Sequence, residues 1–365
     1  MKEGAVRYAY LDRVRGLAVL IMIEAHVLDS WTRVADRRLP AFGYAMMLGG
    51  LGAPLFLFLA GVAVVLSAES KFRKTGDFGA AWSAVQKRGW QVFGLAFLFR
   101  LQSYILSGGF SAASLLKVDI LNIMGPAIAM AAIAGRAVSS AGTRAVAFGV
   151  CAAGMAMLTP IVRTTPLLDW LPDPVEWYFR PTPGRTNFTL FPWAGFVFAG
   201  AVVGVVINGV RTADRAVRAQ WGLAAAAVLL AFLAYRASFL PSIYATSEFW
   251  TSSPTFFFLR VGLLALLLPL AFLWDLGPWR GTVSRWSPVE TLGRASLFVY
   301  WVHVEMVYGF LSRPLRRSLS LGEVLVAYAL FTVFLLALVM LKDRLMEGRR
   351  RPPHPTLAVP RPLSN

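Results

Sequence analysis

Ten long apolar stretches run through this sequence, and their length is the strongest indication of its fold. A helix needs about 20 apolar residues to cross roughly 30 Å of hydrocarbon. Of the 365 residues, 57% are hydrophobic and 15% are charged, which is too apolar for a soluble domain. The sequence therefore predicts an all-α, polytopic membrane helix bundle of about ten transmembrane helices. We place them at 11–31, 45–68, 88–108, 117–135, 142–162, 188–208, 219–237, 254–274, 289–312 and 321–342.

The net charge of +17 would suggest a nucleic-acid partner in a soluble protein. In a membrane protein, an excess of Lys and Arg in the inner loops explains it better. If the N-terminus is inside, inner and outer basic residues stand at roughly two to one. We therefore expect both termini to be cytoplasmic, and we expect no nucleic-acid partner.

The chain divides into a transmembrane domain, 1–345, and a basic, proline-rich tail, 346–365, which we expect to be disordered and cytoplasmic. Charged residues interrupt the first apolar run before any small-residue cleavage site, so we expect a retained helix and no signal peptide. The single cysteine, Cys151, excludes a disulfide scaffold.

The long outer connection at 163–187 could be a lid or an aromatic belt at the membrane interface, and we favour the belt.

The first predicted helix carries ionisable residues on one face. Asp12, Arg15, His26 and Asp29 are separated by combinations of three- and four-residue steps. A charge inside a bilayer costs at least about 2.5 kcal/mol on insertion scales, so such residues indicate function. The spacing predicts an Asp12–Arg15 ion pair near the cytoplasmic end and allows Asp29 to orient the imidazole of His26.

A second polar face lies in the ninth predicted span, where Ser296, Tyr300 and His303 are spaced by four and three residues. His26 and His303 each lie on the order of 20 Å into their helices, so we expect them to face each other in the outer half of the bundle. For a single histidine, simple bonding between helices remains the alternative. Two histidines and carboxylates could also hold zinc, but no H-E-x-x-H or CxxC spacing is present, so we expect no metal.

Four stretches, in this order, resemble the heparan-α-glucosaminide N-acetyltransferase-like (DUF1624) family. That family belongs to a transmembrane acyltransferase superfamily together with the acyltransferase-3 proteins. The resemblance covers about Tyr10 to His303. The stretches are Asp12–Ala18 with Met22 and His26, Gly52–Gly61, Phe191–Phe196 with Gly200 and Gly204, and Leu292–Leu297 with Tyr300 and His303.

The resemblance implies an integral membrane enzyme that takes an acyl group, usually acetyl, from cytoplasmic acyl-CoA. It delivers the group to an amine or hydroxyl, commonly on a sugar, at the far side of the membrane. The implied partners are acetyl-CoA or another acyl-CoA as co-substrate, a glycan or small-molecule acceptor, and the lipid bilayer. The abundance of Ala, Arg and Gly favours a bacterial inner membrane.

In lysosomal members of the family, the helix position that matches His26 is an asparagine, and the catalytic histidine follows in the next loop. The corresponding segment here, Thr32 to Tyr44, contains no histidine. His26 instead is similar to the histidine that acyltransferase-3 proteins carry inside their first helix.

Acyl transfer from a thioester needs a base for the nucleophile and a donor for the oxyanion. We expect His26 to be the base and Asp29 to orient it. Tyr300 or His303 would contact the acceptor or supply the oxyanion donor. An acetyl-histidine intermediate is a second route, and we favour direct transfer.

We assign acyl-CoA binding to Asp12, Arg15, Arg100, Lys87 and Arg88. The phosphates of CoA require a basic cytoplasmic mouth. The excess of basic residues in inner loops would alone place Lys87 and Arg88 there, so that alternative stays open.

Two other functions remain. In a proton-coupled or solute transporter the polar stripe would line a path through the membrane. In a non-catalytic scaffold the same residues would only join helices. The acceptor, the choice between O- and N-acylation, the acyl chain length and the oligomeric state, a homo-oligomer included, are open.

Overall fold

A computed structural model describes residues 8–107, 115–210, 212–276 and 286–347. No β-strand occurs in these ranges, and the only β-pairing found in them is two isolated bridges, Thr32 with Leu319 and Val118 with Thr186. The predicted all-α class is therefore confirmed. The α-helices are α1 (Ala9–Trp31), α2 (Pro40–Gly49), α3 (Gly52–Thr75), α4 (Phe78–Ser107), α5 (Ile120–Ala137), α6 (Ala141–Thr164), α7 (Asp173–Glu176), α8 (Leu190–Asn208), α9 (Ala213–Ala237), α10 (Pro254–Leu276), α11 (Pro288–Arg294), α12 (Ser296–Tyr308) and α13 (Leu321–Glu347).

Within the described ranges, seven segments are long and apolar enough to cross a membrane. Each of them overlaps one of the predicted spans. They are Pro40–Thr75, Ile120–Ala137, Ala141–Thr164, Leu190–Asn208, Asp214–Ala237, Pro254–Leu276 and Leu321–Met346.

The other three predicted spans are helical without being among these seven. The span at 11–31 is α1, which carries five charged residues, and the span at 88–108 overlaps most of α4. The span at 289–312 is divided into α11 and α12, because Ala295 leaves the helical conformation with φ −101° and ψ 18°. Each piece is shorter than the roughly 20 residues that a crossing needs. The total of about ten spans and the cytoplasmic termini stay predictions.

Two predicted boundaries are wrong. The connection predicted from Thr32 to Tyr44 is shorter than expected, because helix α2 already begins at Pro40. Helix α2 ends at Gly49, and α3 begins at Gly52. The segment between the second and third predicted spans is mostly helical, with only Gly76 and Asp77 between α3 and α4. Gly76 has a φ of +71°, a conformation that glycine adopts without steric cost.

The described residues of 1–53 and 270–365 form one compact unit. In it α1 packs against α11, α12 and α13. A Cβ atom on Gly16 would overlap the Val289 carbonyl oxygen, and one on Gly293 would overlap the Asp12 carbonyl oxygen. The backbones of α1 and α11 are therefore in direct contact, which fixes the position of α1.

Residues 54–269 form the second compact unit. In it α4 packs on α5, and α6 packs on α8. The contact between α4 and α5 is also close, since a Cβ atom on Gly89 would lie 2.7 Å from the Gly125 carbonyl oxygen.

The predicted tail falls almost entirely outside the described residues. Helix α13 continues through Glu347 and so includes the first two residues assigned to the tail. His354 and the rest of 348–365 lie outside the described ranges.

Candidate active site

His26 of α1 and His303 of α12 form a pair inside the first unit. Their rings stack, with centroids 5.0 Å apart and planes 10° apart. The Nδ1 atom of His26 lies 2.7 Å from Nε2 of His303. His303 is fully buried, whereas His26 is partly exposed. The facing of the two histidines that the sequence predicts is therefore present, and His26 is the member that solvent or a ligand can reach.

The hydrogen bonds of His303 determine which nitrogens carry protons. Its Nδ1 lies 2.8 Å from the backbone carbonyl oxygen of Val299, one helical turn earlier. A carbonyl oxygen can only accept, so Nδ1 of His303 is the donor, and in the neutral ring Nε2 is an acceptor. Nδ1 of His26 must then donate to it. In the neutral pair, the lone pair of His26 is on Nε2.

The end of α12 is fastened to α1 close to this pair. The hydroxyl of Ser30 donates to the Val307 carbonyl oxygen at 3.0 Å, and the hydroxyl of Ser312 donates to the same oxygen at 2.6 Å. Both serines are buried. Because Ser30 lies one turn after His26 on α1, these bonds set the register of α12 against α1 and so the alignment of the two imidazoles.

Asp29 lies beside the pair and is held by two other residues. The Tyr308 hydroxyl donates to its Oδ2 at 3.1 Å. Arg37 pairs with its Oδ1 at 3.3 Å and also donates to its backbone oxygen. The ring of Tyr308 meets the ring of His26 edge to face at 5.5 Å. His303 is the partner of His26 Nδ1, and the orienting role expected of Asp29 stays a prediction.

Tyr300 contacts the ring of His303. Its ring is buried and meets the imidazole of His303 edge to face at 5.9 Å. His303 itself has both nitrogens engaged. The expected roles of Tyr300 and His303 as acceptor contact or oxyanion donor stay predictions.

Sequence reasoning missed Tyr308, Arg37 and Ser30. Tyr308 is five residues after His303, which is outside the three- and four-residue steps of one helix face. Arg37 belongs to a loop whose conformation the sequence does not specify. Ser30 had a detectable signal, because it follows His26 by one turn.

The predicted Asp12–Arg15 ion pair is present, at 3.0 Å. The neighbouring Arg13 pairs with Glu290 at 2.6 Å and with Asp275. These pairs join α1 to α10 and α11 inside the first unit. Asp12 and Arg15 are therefore part of a compensated ionic cluster.

The remaining residues assigned to acyl-CoA are not brought together. Arg100 pairs with Asp119 at 2.6 Å, and burial, with the nearby charge of Arg100, lowers the pKa of Lys117. Lys87 and Arg88 are exposed near the other end of α4. Arg88 is about 18 Å from Arg100 along the helix at 1.5 Å per residue. The assignment of Arg100, Lys87 and Arg88 to acyl-CoA binding therefore stays a prediction.

A separate cavity of about 380 Å³ lies in the second unit. Phe72 and Phe78 form part of its wall, and so does the buried Arg144, which pairs with Glu69 at 2.5 Å. Asn208, also in the wall, accepts a hydrogen bond from Arg73 at 2.9 Å. The cavity thus combines aromatic surface with basic groups. Among the described residues, no group of three or more His, Cys, Asp or Glu side chains could hold a metal ion.

The chain matches the model of a known protein family. The family model described as "Heparan-alpha-glucosaminide N-acetyltransferase, catalytic" matches residues 7–246, about two thirds of the chain. The match contains His26 and Asp29 and ends before Tyr300 and His303. No curated protein matches the chain.

Proposed function

The chain belongs to the heparan-α-glucosaminide N-acetyltransferase catalytic family, and on this premise we propose that it is an acyl-CoA-dependent membrane acyltransferase. It moves an acyl group, most simply acetyl, to an amine or hydroxyl of a sugar-containing acceptor. The observation that carries the proposal is the hydrogen-bonded pair of His26 and His303. A bacterial inner membrane, with the acceptor on the outer side, is part of the proposal.

In this mechanism His26 is the general base. Its Nε2 accepts the proton of the acceptor amine or hydroxyl while that atom attacks the thioester carbonyl carbon. The tetrahedral intermediate collapses and breaks the carbon–sulfur bond. Nε2 then returns the proton to the leaving thiolate, so that CoA departs as the free thiol. The reaction consumes one acceptor proton and forms one S–H bond.

His303 is a positioning residue in this mechanism. When His26 gains a proton on Nε2, its Nδ1–H continues to donate to Nε2 of His303, which stabilises the imidazolium. A pair with both imidazoles charged could not make this bond, because both nitrogens would be donors. The buried position of His303 prevents water from replacing it.

Within the second unit, basic groups are available that could bind phosphate groups such as those of CoA. Lys87 and Arg88 are exposed, and Arg73 lies beside the cavity lined by Phe72 and Phe78. An arginine fork suits phosphate oxygens, and the phenyl rings suit an adenine face.

The first test follows CoA release from acetyl-CoA by the purified full chain, with and without glucosamine. We expect His26→Ala to lower the rate by about 10²- to 10⁴-fold, the usual contribution of a general base. His354→Ala is the matched control and should behave like the parent. Parent-like release by a folded His26→Ala protein would exclude His26 as the base. Solute flux without any CoA dependence would favour the transporter instead.

A further inference from the structure

Two loops that lie close to His26 carry a cluster of arginines. The segments after α1 and after α12 are joined by backbone hydrogen bonds: Arg33 N–H donates to the Leu319 carbonyl at 2.8 Å, and Leu319 N–H donates to the Trp31 carbonyl at 3.1 Å. We call the arginines of these two segments the arginine mouth. Its members are Arg33, Arg37, Arg38, Arg313, Arg316 and Arg317.

The carboxylates of this region compensate only part of that charge. Asp36 binds Arg33 at 2.8 Å and also accepts the backbone N–H of Leu321, and these two contacts hold the pKa of Asp36 below its ordinary value. Asp29 binds Arg37. The remaining four arginines form no ion pair with a carboxylate among the described residues, and all four are exposed. Glu323, in the first turn of α13, is a third carboxylate that acts on Arg33. Six arginines against three carboxylates leave the arginine mouth with a net positive charge.

Arg317 has a strained backbone. Its φ is +53°, a left-handed conformation that side chains other than glycine seldom adopt. Its N–H donates to the Ser30 carbonyl oxygen at 3.0 Å, which holds the residue in place on α1. Strain of this kind persists where the surrounding structure imposes it, and it is concentrated at functional sites.

The same loop is amphipathic and lies at the end of a candidate membrane-spanning helix. Phe310 and Leu311 are 62% and 73% exposed, and Arg313 stacks over the ring of Phe310 at 4.7 Å. The loop ends where Leu321 begins α13. Arginines beside exposed apolar groups at such a helix end belong at the level of lipid headgroups.

A chain of contacts leads from this cluster to the histidines. Arg316 donates to the carbonyl oxygens of Tyr308 and Gly309, and Tyr308 contacts both Asp29 and His26. Arginine binds phosphate with two parallel N–H···O bonds. We propose that the arginine mouth binds the phosphate group of a membrane-anchored acceptor and holds that acceptor beside His26. The acceptor role rests on the proposed function, whereas the binding itself does not.

The binding test uses the full chain in phosphatidylcholine nanodiscs, with dodecyl phosphate as the probe and inorganic phosphate as the soluble comparison. The test variant is Arg38→Gln with Arg317→Asn, since asparagine tolerates the left-handed backbone. Arg218→Gln removes an exposed arginine of α9 and is the matched control. We expect dodecyl phosphate to bind the parent and the control alike, and the double variant about tenfold more weakly, as expected for lost charge-assisted bonds.

Equal binding of dodecyl phosphate to parent and double variant, with both folded, would overturn the assignment. If inorganic phosphate binds as tightly as dodecyl phosphate, the proposal that the ligand is anchored in the membrane is overturned. The activity arm compares kcat/KM for glucosamine 1-phosphate and for glucosamine. The parent and Arg218→Gln should prefer the phosphate, and the double variant should lose that preference. CoA release that is absent with every acceptor would contradict the proposed function and leave the binding result intact.

Discussion

At the residue scale, the position of one proton determines which nitrogen of His26 can act as the base. The carbonyl oxygen of Val299 fixes the proton of His303, and His303 in turn fixes the proton of His26. This order leaves the lone pair of His26 on Nε2, the nitrogen not engaged by His303. A side chain with a hydrogen-bond acceptor at the position of His303 Nε2 should keep the lone pair of His26 on Nε2. An apolar side chain at this position should not.

We therefore expect His303→Gln to retain a measurable part of the CoA-release activity, because its amide oxygen can accept the N–H of His26. His303→Leu should lose about 10²-fold, as is usual when a reacting group is misplaced by about 1 Å. The measurement is kcat for both variants, together with the thermal midpoint. If the two variants lose activity equally at equal stability, His303 does not act through this hydrogen bond.

At the element scale, the position of α1 depends on two glycines. The backbone of α1 touches that of α11 at Gly16 and at Gly293, so no side chain fits at either position. His26 lies on the same helix as Gly16, and its partner lies on α12, which follows α11 after the break at Ala295. A displacement of α1 from α11 would therefore shift the two imidazoles against each other.

Gly16→Ala should destabilise the protein by about 1–3 kcal/mol, the range for overpacking a closely packed contact, and should lower CoA release. Gly43 in α2 is the matched control, since a Cβ atom there would have no neighbour within 4 Å. The readouts are the thermal unfolding midpoint and the rate of thiol release. A Gly16→Ala protein as stable as Gly43→Ala would show that the two backbones can separate without cost.

At the scale of the whole molecule, the side of the membrane on which each loop lies remains a prediction. The proposed topology places the turn between α3 and α4 in the cytoplasm and the loop between α12 and α13 outside. Thr75, the last residue of α3, and Ser318, in the loop between α12 and α13, are exposed. Each can receive a single cysteine in a Cys151→Ala background, because Cys151 is the only native cysteine.

We expect a membrane-impermeant maleimide to label Ser318→Cys on intact cells and to label Thr75→Cys only after the membrane is opened. The physical reason is the excess of Lys and Arg around the α3–α4 turn, because loops rich in these residues stay on the cytoplasmic side of the membrane. The reverse pattern would invert the orientation, and would move the acceptor side to the cytoplasm.

The apolar length of the helices and the three- and four-residue spacing on α1 were sufficient to predict an all-helical protein, the Asp12–Arg15 pair and the facing of His26 and His303. Each of these follows from local periodicity. The break at Ala295 and the partners of Asp29 depend on how distant segments pack. The sequence also did not indicate that position 16 needs a glycine, because the residue that leaves no room for a side chain there is Val289, which lies far away in the sequence.

The discontinuous first unit also bears on how the protein is made. The contacts of α1 with α11, α12 and α13 can form only after those three helices have been made. A span of 277 residues separates the two histidines. At about 5–20 residues per second, ribosomes need roughly a quarter of a minute to a minute to synthesise that stretch. A nascent chain therefore contains His26 for this interval before His303 has been synthesised, and the histidine pair can form only afterwards.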